Sequence, residues 1–483
     1  MTRSSTPPGT RTAVVVGSGP NGLTAAVRLA RAGVRVRVVE LADRIGGGTR
    51  TSELTEPGLL HDDCSAFHPT GVVSPAFLDL RLEEFGLRWQ WPEVQLAHPL
   101  DDGTAGVLYR DIDRTAAGLG ADAAAWKRVF GPVVRRFPGV VEGVLGPVLR
   151  VPRHPVAMGV FGVRAALPAT MLARTFQTQQ AKALFGGIAA HSFTPLNLPL
   201  TSAVGVMLGA AGHVGGWPVA HGGSRAIADA LAEALRSYGG TIETGVRVER
   251  LRDIPADVRI LTLSTRAAND VIGEAMPDGV RRAYRRFRHG PGAHKVEFAI
   301  RGDVPWTNEE CRSAGTLHLG GRLEEVAAAE AQINRGVLPQ RPFLLVGQQY
   351  LADPSRSAGG LNPLWSYAHV PSGPGDEEAA TERLIAQIER FAPGIRDRIV
   401  SMHVRGTTAM EAYNPNYIGG DIGVGANTAR QVIARPRLTP NPYATGVPGV
   451  YLCSSAASPA AGVHGMGGYH AAAAALRYLA NAT

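Results

Sequence analysis

Three glycines stand close together near the start of the chain, in Gly17-Ser18-Gly19-Pro20-Asn21-Gly22, and an acid, Glu40, follows eighteen residues after the last of them. Ala13 to Val16 is an apolar run suited to a strand buried on both faces. Leu23 to Ala32 reads as a helix with Gly33 at its end. Val34 to Glu40 alternates and is β-branched, so it reads as a second strand. Such a β-α-β unit makes its strands parallel and its crossover right-handed. In that setting Gly17 permits the tight turn, Gly19 lets the backbone approach a diphosphate, and Gly22 lets the helix lie on the strand. The free N–H groups at the helix start, which follow Pro20, face the phosphates. Glu40, with Leu41 beside it, would accept hydrogen bonds from a ribose diol. An acid there suits an unphosphorylated adenosine ribose, as in NAD or FAD.

A second glycine cluster follows, Arg44-Ile45-Gly46-Gly47-Gly48-Thr49. Glycines let the chain pass close to a diphosphate or flavin ring without side-chain clash. An NAD dehydrogenase has no need of such a cluster, so the pattern favours FAD. A third group, Gly462-Val463-His464-Gly465-Met466-Gly467-Gly468, precedes the last helix. The positive pole of a helix start, placed at the pyrimidine end of a flavin, would stabilise charge on the reduced ring.

The elements that must position these groups lie far apart in the chain. Ser224 to Tyr238 reads as a strong helix stopped by Gly239 and Gly240. Thr241 to Leu251 and Val258 to Ser264 read as strands. Thr115 to about Ala210 is helical by pattern and broken by prolines. Leu78 to Gly86 reads as a further helix. Strands are expected at Lys295–Ile300, Phe343–Val346, Trp365–Val370 and Val450–Cys453, and helices at Asp376–Phe391 and Tyr469–Ala482. The fold class is α/β: a Rossmann-like FAD domain assembled from discontinuous segments, with a mixed-sheet and helical substrate domain inserted. The boundaries are 12–105, 215–285 and 430–483 for the first and 106–214 with 286–429 for the second. Residues 1–11 read as a disordered N-terminus without the apolar core of a signal peptide.

Composition narrows the function class. The chain has 483 residues, 45% of them hydrophobic, and a formal charge of +8. That suffices for two or three packed units. The charge is dispersed and nearly all arginine; the lysines are Lys127, Lys182 and Lys295. No basic stripe interleaves with aromatics, so nucleic-acid binding is not expected. Cys64, Cys311 and Cys453 form neither a disulfide framework nor a metal or redox motif. No metal-ligand spacing occurs, so no metal is expected. No run of eighteen apolar residues occurs, so no membrane span is expected, and the location expected is cytoplasmic.

The N-terminal block, the stretch from Gly215 to Val248 (GGWPVAHGGSRAIADALAEAL…GGTI…V) and the tail VPGVYLCSSAASPAAGVHGMGGYHAAAAAL together resemble the phytoene desaturase family of the flavin amine oxidase superfamily. The resemblance covers about half the chain. It implies an FAD domain of three segments. It implies that Val248 touches the adenine, that Ser455 and Ala456 lie near the ribityl and diphosphate, and that Gly462, Val463, His464, Gly465 and Met466 run along the flavin. There are departures: Gly48 stands where many members carry arginine, and Ala456, Ala460 and Ala461 stand where glycines are usual.

HGPGAHKVEFAIRGDVPW is similar to the amine oxidase segment whose strand lysine reaches the flavin N5 through one water. That implies a catalytic Lys295, whose charge would stabilise reduced flavin. The alternative is an ordinary strand lysine. His464 and His68 are candidates for the substrate cavity. His191, His213 and His221 read as structural. Val144 to Ala173 reads either as an inward-facing helical cap or as a surface, peripheral to a membrane, where a lipophilic substrate enters.

The implied activity is dehydrogenation or desaturation of a largely apolar molecule, with hydride passing to flavin N5 and reoxidation by oxygen or a quinone. An amine or amino-acid oxidase and a non-redox flavoprotein are the alternatives. A Tyr-x-x-x-Lys dehydrogenase is disfavoured, because Ala123, Thr178 and Pro291 stand four before the lysines. Substrate identity and oligomeric state are not legible.

Overall fold

The computed structural model describes residues 11–481. Most of the segment expected to be disordered therefore lies outside the described residues. Within them the chain builds two large sheets, two small two-stranded ones and a helical cap.

The first sheet has five parallel strands in the order Val450–Leu452, Val258–Leu261, Thr12–Val16, Arg35–Val39, Thr241–Glu243. Ala13, Val15, Val36, Val38, Val258 and Ile260 are buried, as the continuous apolar runs require. Helix Pro20–Arg31 starts with proline at its first position, where a missing N–H costs nothing. It lies between helices Arg225–Ser237 and Met466–Asn481. The last helix approaches very closely: a Cβ on Gly468 would stand 1.7 Å from the Asn21 carbonyl oxygen. The strand expected over Thr241–Leu251 stops at Glu243, and residues 244–250 turn away from the sheet. The helix expected over Leu78–Gly86 breaks at Arg81, whose φ is 53°.

The second sheet has seven strands in the order Ile399–Arg405, Gly292–Arg301, Leu361–Val370, Leu344–Gly347, Ala314–Leu319, Val94–Pro99, Ala105–Leu108. It is mixed: Ala314–Leu319 runs parallel to Val94–Pro99 and the other pairs are antiparallel. Val94–Pro99, read from sequence within the cofactor segment 12–105, pairs here instead.

Side chains alternate across this sheet. Val296, Phe298, Leu317, Leu344, Val346 and Leu364 form one face and are buried with Leu384, Ile388 and Phe391 of helix Glu377–Phe391. That helix is capped by Asp376, whose carboxylate accepts the Ala379 N–H. The opposite face is aromatic and polar. Register places Lys295 opposite Tyr367, Tyr367 opposite Leu345, and Leu345 opposite His318. The prolines of the central stretch divide it into short helices, among them Pro155–Ala165, Gln179–Ala190 and Thr201–Val214. They cover this second face.

Candidate functional site

A cavity of about 1110 Å³ runs between the two sheets. At one end it is lined by Gly17, Gly19, Pro20, Gly22, Glu40, Leu41, Gly47, Gly48 and Val248. Ser455, Gly462 and Val463 of the tail line it further along. Thr316, Leu345, Trp365 and Tyr367 of the seven-stranded sheet also border it, as do Met158, Phe161 and Met207 of the helical cap. The sequence motifs from both ends of the chain thus meet around one space.

The glycines there serve two different ends. Gly17 has φ +96°, and a Cβ on it would meet Thr262 Oγ1 at 1.9 Å; a Cβ on Gly22 would lie 2.1 Å from the Gly17 carbonyl oxygen. Both are needed for the turn and its packing. Gly19 is different. Its Cβ would meet nothing nearer than Gly47 Cα at 3.9 Å, so its bare side faces open cavity. That is the cradle a diphosphate needs, with the start of helix Pro20–Arg31 behind it.

Glu40 is buried and engaged. Its Oε2 accepts the Ser18 N–H at 2.8 Å and the Ser18 hydroxyl at 2.6 Å, and its Oε1 accepts the Ala42 N–H at 3.0 Å. The Arg50 guanidinium stands 3.4 Å from Oε1. These four contacts match the roughly four acceptor sites of a carboxylate, so they orient Glu40, and the long one from Arg50 is the contact a ribose hydroxyl would replace. Arg50 was not legible as a site residue. It is buried and lines the cavity two residues beyond Gly48, where the family resemblance implied an arginine. A Cβ on Gly48 would meet Tyr417 Oη at 2.3 Å, which is why no side chain fits there. The Tyr413 hydroxyl donates to the Gly47 carbonyl at 2.7 Å and fixes the same loop.

Several residues expected at the site stand behind it. Arg44 pairs with Asp63 at 3.0 Å, and Gly46 turns the backbone with φ +115°. Ala456 is buried beneath Ser455 and donates its N–H to Ser454 Oγ. Gly465 lies against Thr24, and Met466 opens the last helix. His464 is buried with its Nδ1 accepting the Met466 N–H at 3.1 Å, so it caps that helix. Burial lowers it to about 4. His68 donates to or accepts from Ser224 Oγ at 2.8 Å and is likewise structural. None of these residues borders the cavity.

Lys295 also stops short of the cavity. It is 3% exposed, pairs with Glu297 on the same strand, and lies 4.8 Å from the ring centroid of Trp365. Burial pulls its ammonium down from the ordinary range. Trp365 itself does line the cavity, so its indole stands between the lysine and that space. The alternation Trp365-x-Tyr367-x-His369 was the signal in the sequence that a strand presents aromatics to one side. His191, read as structural, borders the cavity.

Residues 15–80 match the model of the NAD(P)-binding Rossmann-like domain. Over 97% of its length the chain is 23% identical to pyridine nucleotide-disulfide oxidoreductase domain-containing protein 2 of Rattus norvegicus, covering 94% of that protein. It is 24% identical to hydroxyneurosporene desaturase of Cereibacter sphaeroides, over 97% of this chain and 98% of that one. A putrescine oxidase structure superimposes with a TM-score of 0.59 at 16% identity, covering 98% of this chain and 99% of that one. Taken together, the chain is similar in sequence to a hydroxyneurosporene desaturase and a 4,4'-diapolycopen-4-al dehydrogenase, and in fold to a putrescine oxidase. Residues 15–80 thus match a dinucleotide-binding Rossmann domain, and these relatives and structural neighbours are oxidoreductases.

Proposed function

We propose that this protein binds FAD and dehydrogenates a largely apolar small molecule. The observation that carries this reading is the continuity of one cavity, polar and glycine-lined beside Gly19 and Glu40, apolar beside Met158, Phe161, Met207 and Leu208. FAD, when bound, supplies the hydride acceptor, N5, and the redox chemistry. The chain's own residues supply the rest. Gly19 and the start of helix Pro20–Arg31 would hold the diphosphate. Glu40 would hold the ribose and Val248 the adenine side. Ser455, Gly462 and Val463 would lie along the remainder. Trp365, Tyr367 and the helical cap exclude water and orient the substrate. Lys295 would set the local field from beneath Trp365 rather than by contact.

The cap also supports a route for the substrate. Val151, Val156, Val163 and Met171 are exposed, Val151 to 90%. Val156 and Val163 stand seven apart on helix Pro155–Ala165 and share its outer face. Arg153 and Arg174 are exposed beside them. Val148, Pro152 and Phe161 of the same stretch border the cavity. We place the access route here, against an anionic lipid surface. Among the described residues no single helix is long and apolar enough to cross a membrane.

The test is the visible spectrum of purified protein before and after denaturation. Flavin bands with FAD released support the reading, and anaerobic bleaching by apolar candidates then identifies substrates. Protein that is colourless and takes up no added FAD overturns it.

A further inference from the structure

The apolar end of the cavity holds a polar feature that dehydrogenation of a hydrocarbon would leave unused. His191 follows helix Gln179–Ala190, is half-buried, and borders the cavity. Its Nε2 lies 3.0 Å from the Nε2 of His318, which is fully buried on strand Ala314–Leu319. Two imidazoles joined nitrogen to nitrogen need one donor and one acceptor. The tautomers are therefore linked. When His191 Nε2 donates, its Nδ1 is bare and accepts from a ligand. When His318 Nε2 donates, His191 carries its proton on Nδ1 and donates to a ligand. Among the described residues the hydrogen bond of the His191 ring is the one between Nε2 and His318, and none is made at Nδ1. The pair can thus meet either a donor or an acceptor at one place.

The surroundings keep this pair uncharged. Trp217 packs edge-on against His191, with ring centroids 5.6 Å apart, and also against His318 at 5.8 Å. Phe343 lies 5.6 Å from His318. The titratable groups facing the pair are the buried imidazoles of His98 and His369, whose charges would oppose protonation. Burial lowers His191 to about 3 and His318 well below the ordinary histidine range. The hydroxyls of Ser192 and Thr316, two further cavity residues, take no hydrogen bond within the protein. A neutral polar cluster in an apolar wall gives no counter-charge to a carboxylate or an ammonium, whose burial there would go uncompensated. It does satisfy a neutral oxygen.

We propose that His191, backed by His318, is a specificity site that hydrogen-bonds a hydroxyl or carbonyl oxygen on an otherwise apolar substrate. This rests on the reading that the substrate occupies the cavity described above. His191 is the contact and His318 the positioning residue that sets its tautomer.

The experiment titrates the full-length flavin-loaded protein with decane, decan-1-ol, decanal and decanoate, reading Kd by calorimetry and the imidazole nitrogens by NMR of ¹⁵N-histidine-labelled protein. Decanol and decanal should bind about tenfold more tightly than decane, the worth of one neutral hydrogen bond, and decanoate no better than decane. The His191 and His318 nitrogen signals should move with decanol and stay with decane. In His191→Phe the preference should vanish while decane still binds, which shows that the cavity is intact. His318→Asn should retain part of the preference and change its ratio of decanol to decanal. Equal binding of decane and decanol by wild type, a preference that survives His191→Phe, or no binding of any probe by the flavin-loaded protein overturns the proposal. A colourless protein strikes only at the cofactor reading, and the same preference is then measured without flavin.

Discussion

Lys295 and Glu297, two residues apart on strand Gly292–Arg301, share its cavity-side face and pair there beneath the indole of Trp365. Both are nearly fully buried, and His61 Nδ1 lies 3.1 Å from the other carboxylate oxygen. The lysine that the resemblance marks as catalytic is thus tied to a carboxylate of its own strand. Removing one partner of a buried pair strands the other charge. Lys295→Met should therefore destabilise the protein by roughly 3–5 kcal/mol, while Lys295→Met with Glu297→Gln should recover most of that loss. Urea unfolding of the three proteins checks this; a Lys295→Met protein as stable as wild type contradicts the pairing.

Gly17 and Gly19 should respond differently to the same substitution. Gly17→Ala drives a Cβ into Thr262 at a left-handed backbone position, so it should lower the melting temperature of the protein without cofactor. Gly19→Ala meets nothing in the protein. It should leave that melting temperature within about a degree or two, a surface-like effect, and weaken FAD at least about tenfold by filling the diphosphate's place. Calorimetric melts beside FAD titrations separate the two.

Acid should unfold the protein early. Burial lowers His68, His98, His213, His294 and His470 to about 4, as it does His464. Between pH 6.5 and 4 the unfolded chain binds protons that the folded chain refuses, so stability rises with pH across that window and falls on acidification. The melting temperature should drop steeply below about pH 6.5. A flat curve down to pH 4.5 would show that these imidazoles are not held neutral.

The exposed face of the cap gives a fourth expectation. Val151→Asp with Val156→Asp should lower binding to vesicles containing phosphatidylglycerol by about tenfold or more while leaving the flavin spectrum unchanged, because each charge opposes insertion. Flotation assays at two vesicle compositions test it. Equal flotation of variant and wild type removes the access route from this face.

How much of this was legible follows from the range of the physics. Gly17, Gly19, Gly22 and Glu40 were readable because strand, turn and helix are neighbours in sequence, and their chemistry is set locally. Of the tail glycines Gly462 borders the cavity, while Gly465 lies behind it against Thr24. His464 was misplaced because its role depends on the cap of the helix that begins two residues later. The strands Val94–Pro99, Ala314–Leu319 and Ile399–Arg405 were missed. Their pairing depends on partners far along the chain, and Ile399–Arg405 is a half-exposed edge strand. His191 became interesting only once strand order brought His318 beneath it. Arg50 escaped because the familiar arginine position, occupied here by Gly48, lies two residues earlier.

The parallel sheet also bears on how the molecule comes into being. Strand Val258–Leu261 is flanked by Thr12–Val16 on one side and by Val450–Leu452 on the other. During synthesis its second neighbour is made only after the whole inserted sheet, on the order of ten seconds or more later at ordinary translation rates. Until then the nascent chain carries an unpaired apolar edge at Ile260 and Leu261, and helix Pro20–Arg31 lacks its final cover. The cavity is therefore completed only at the end of synthesis, and the interval before that is when chaperones matter most.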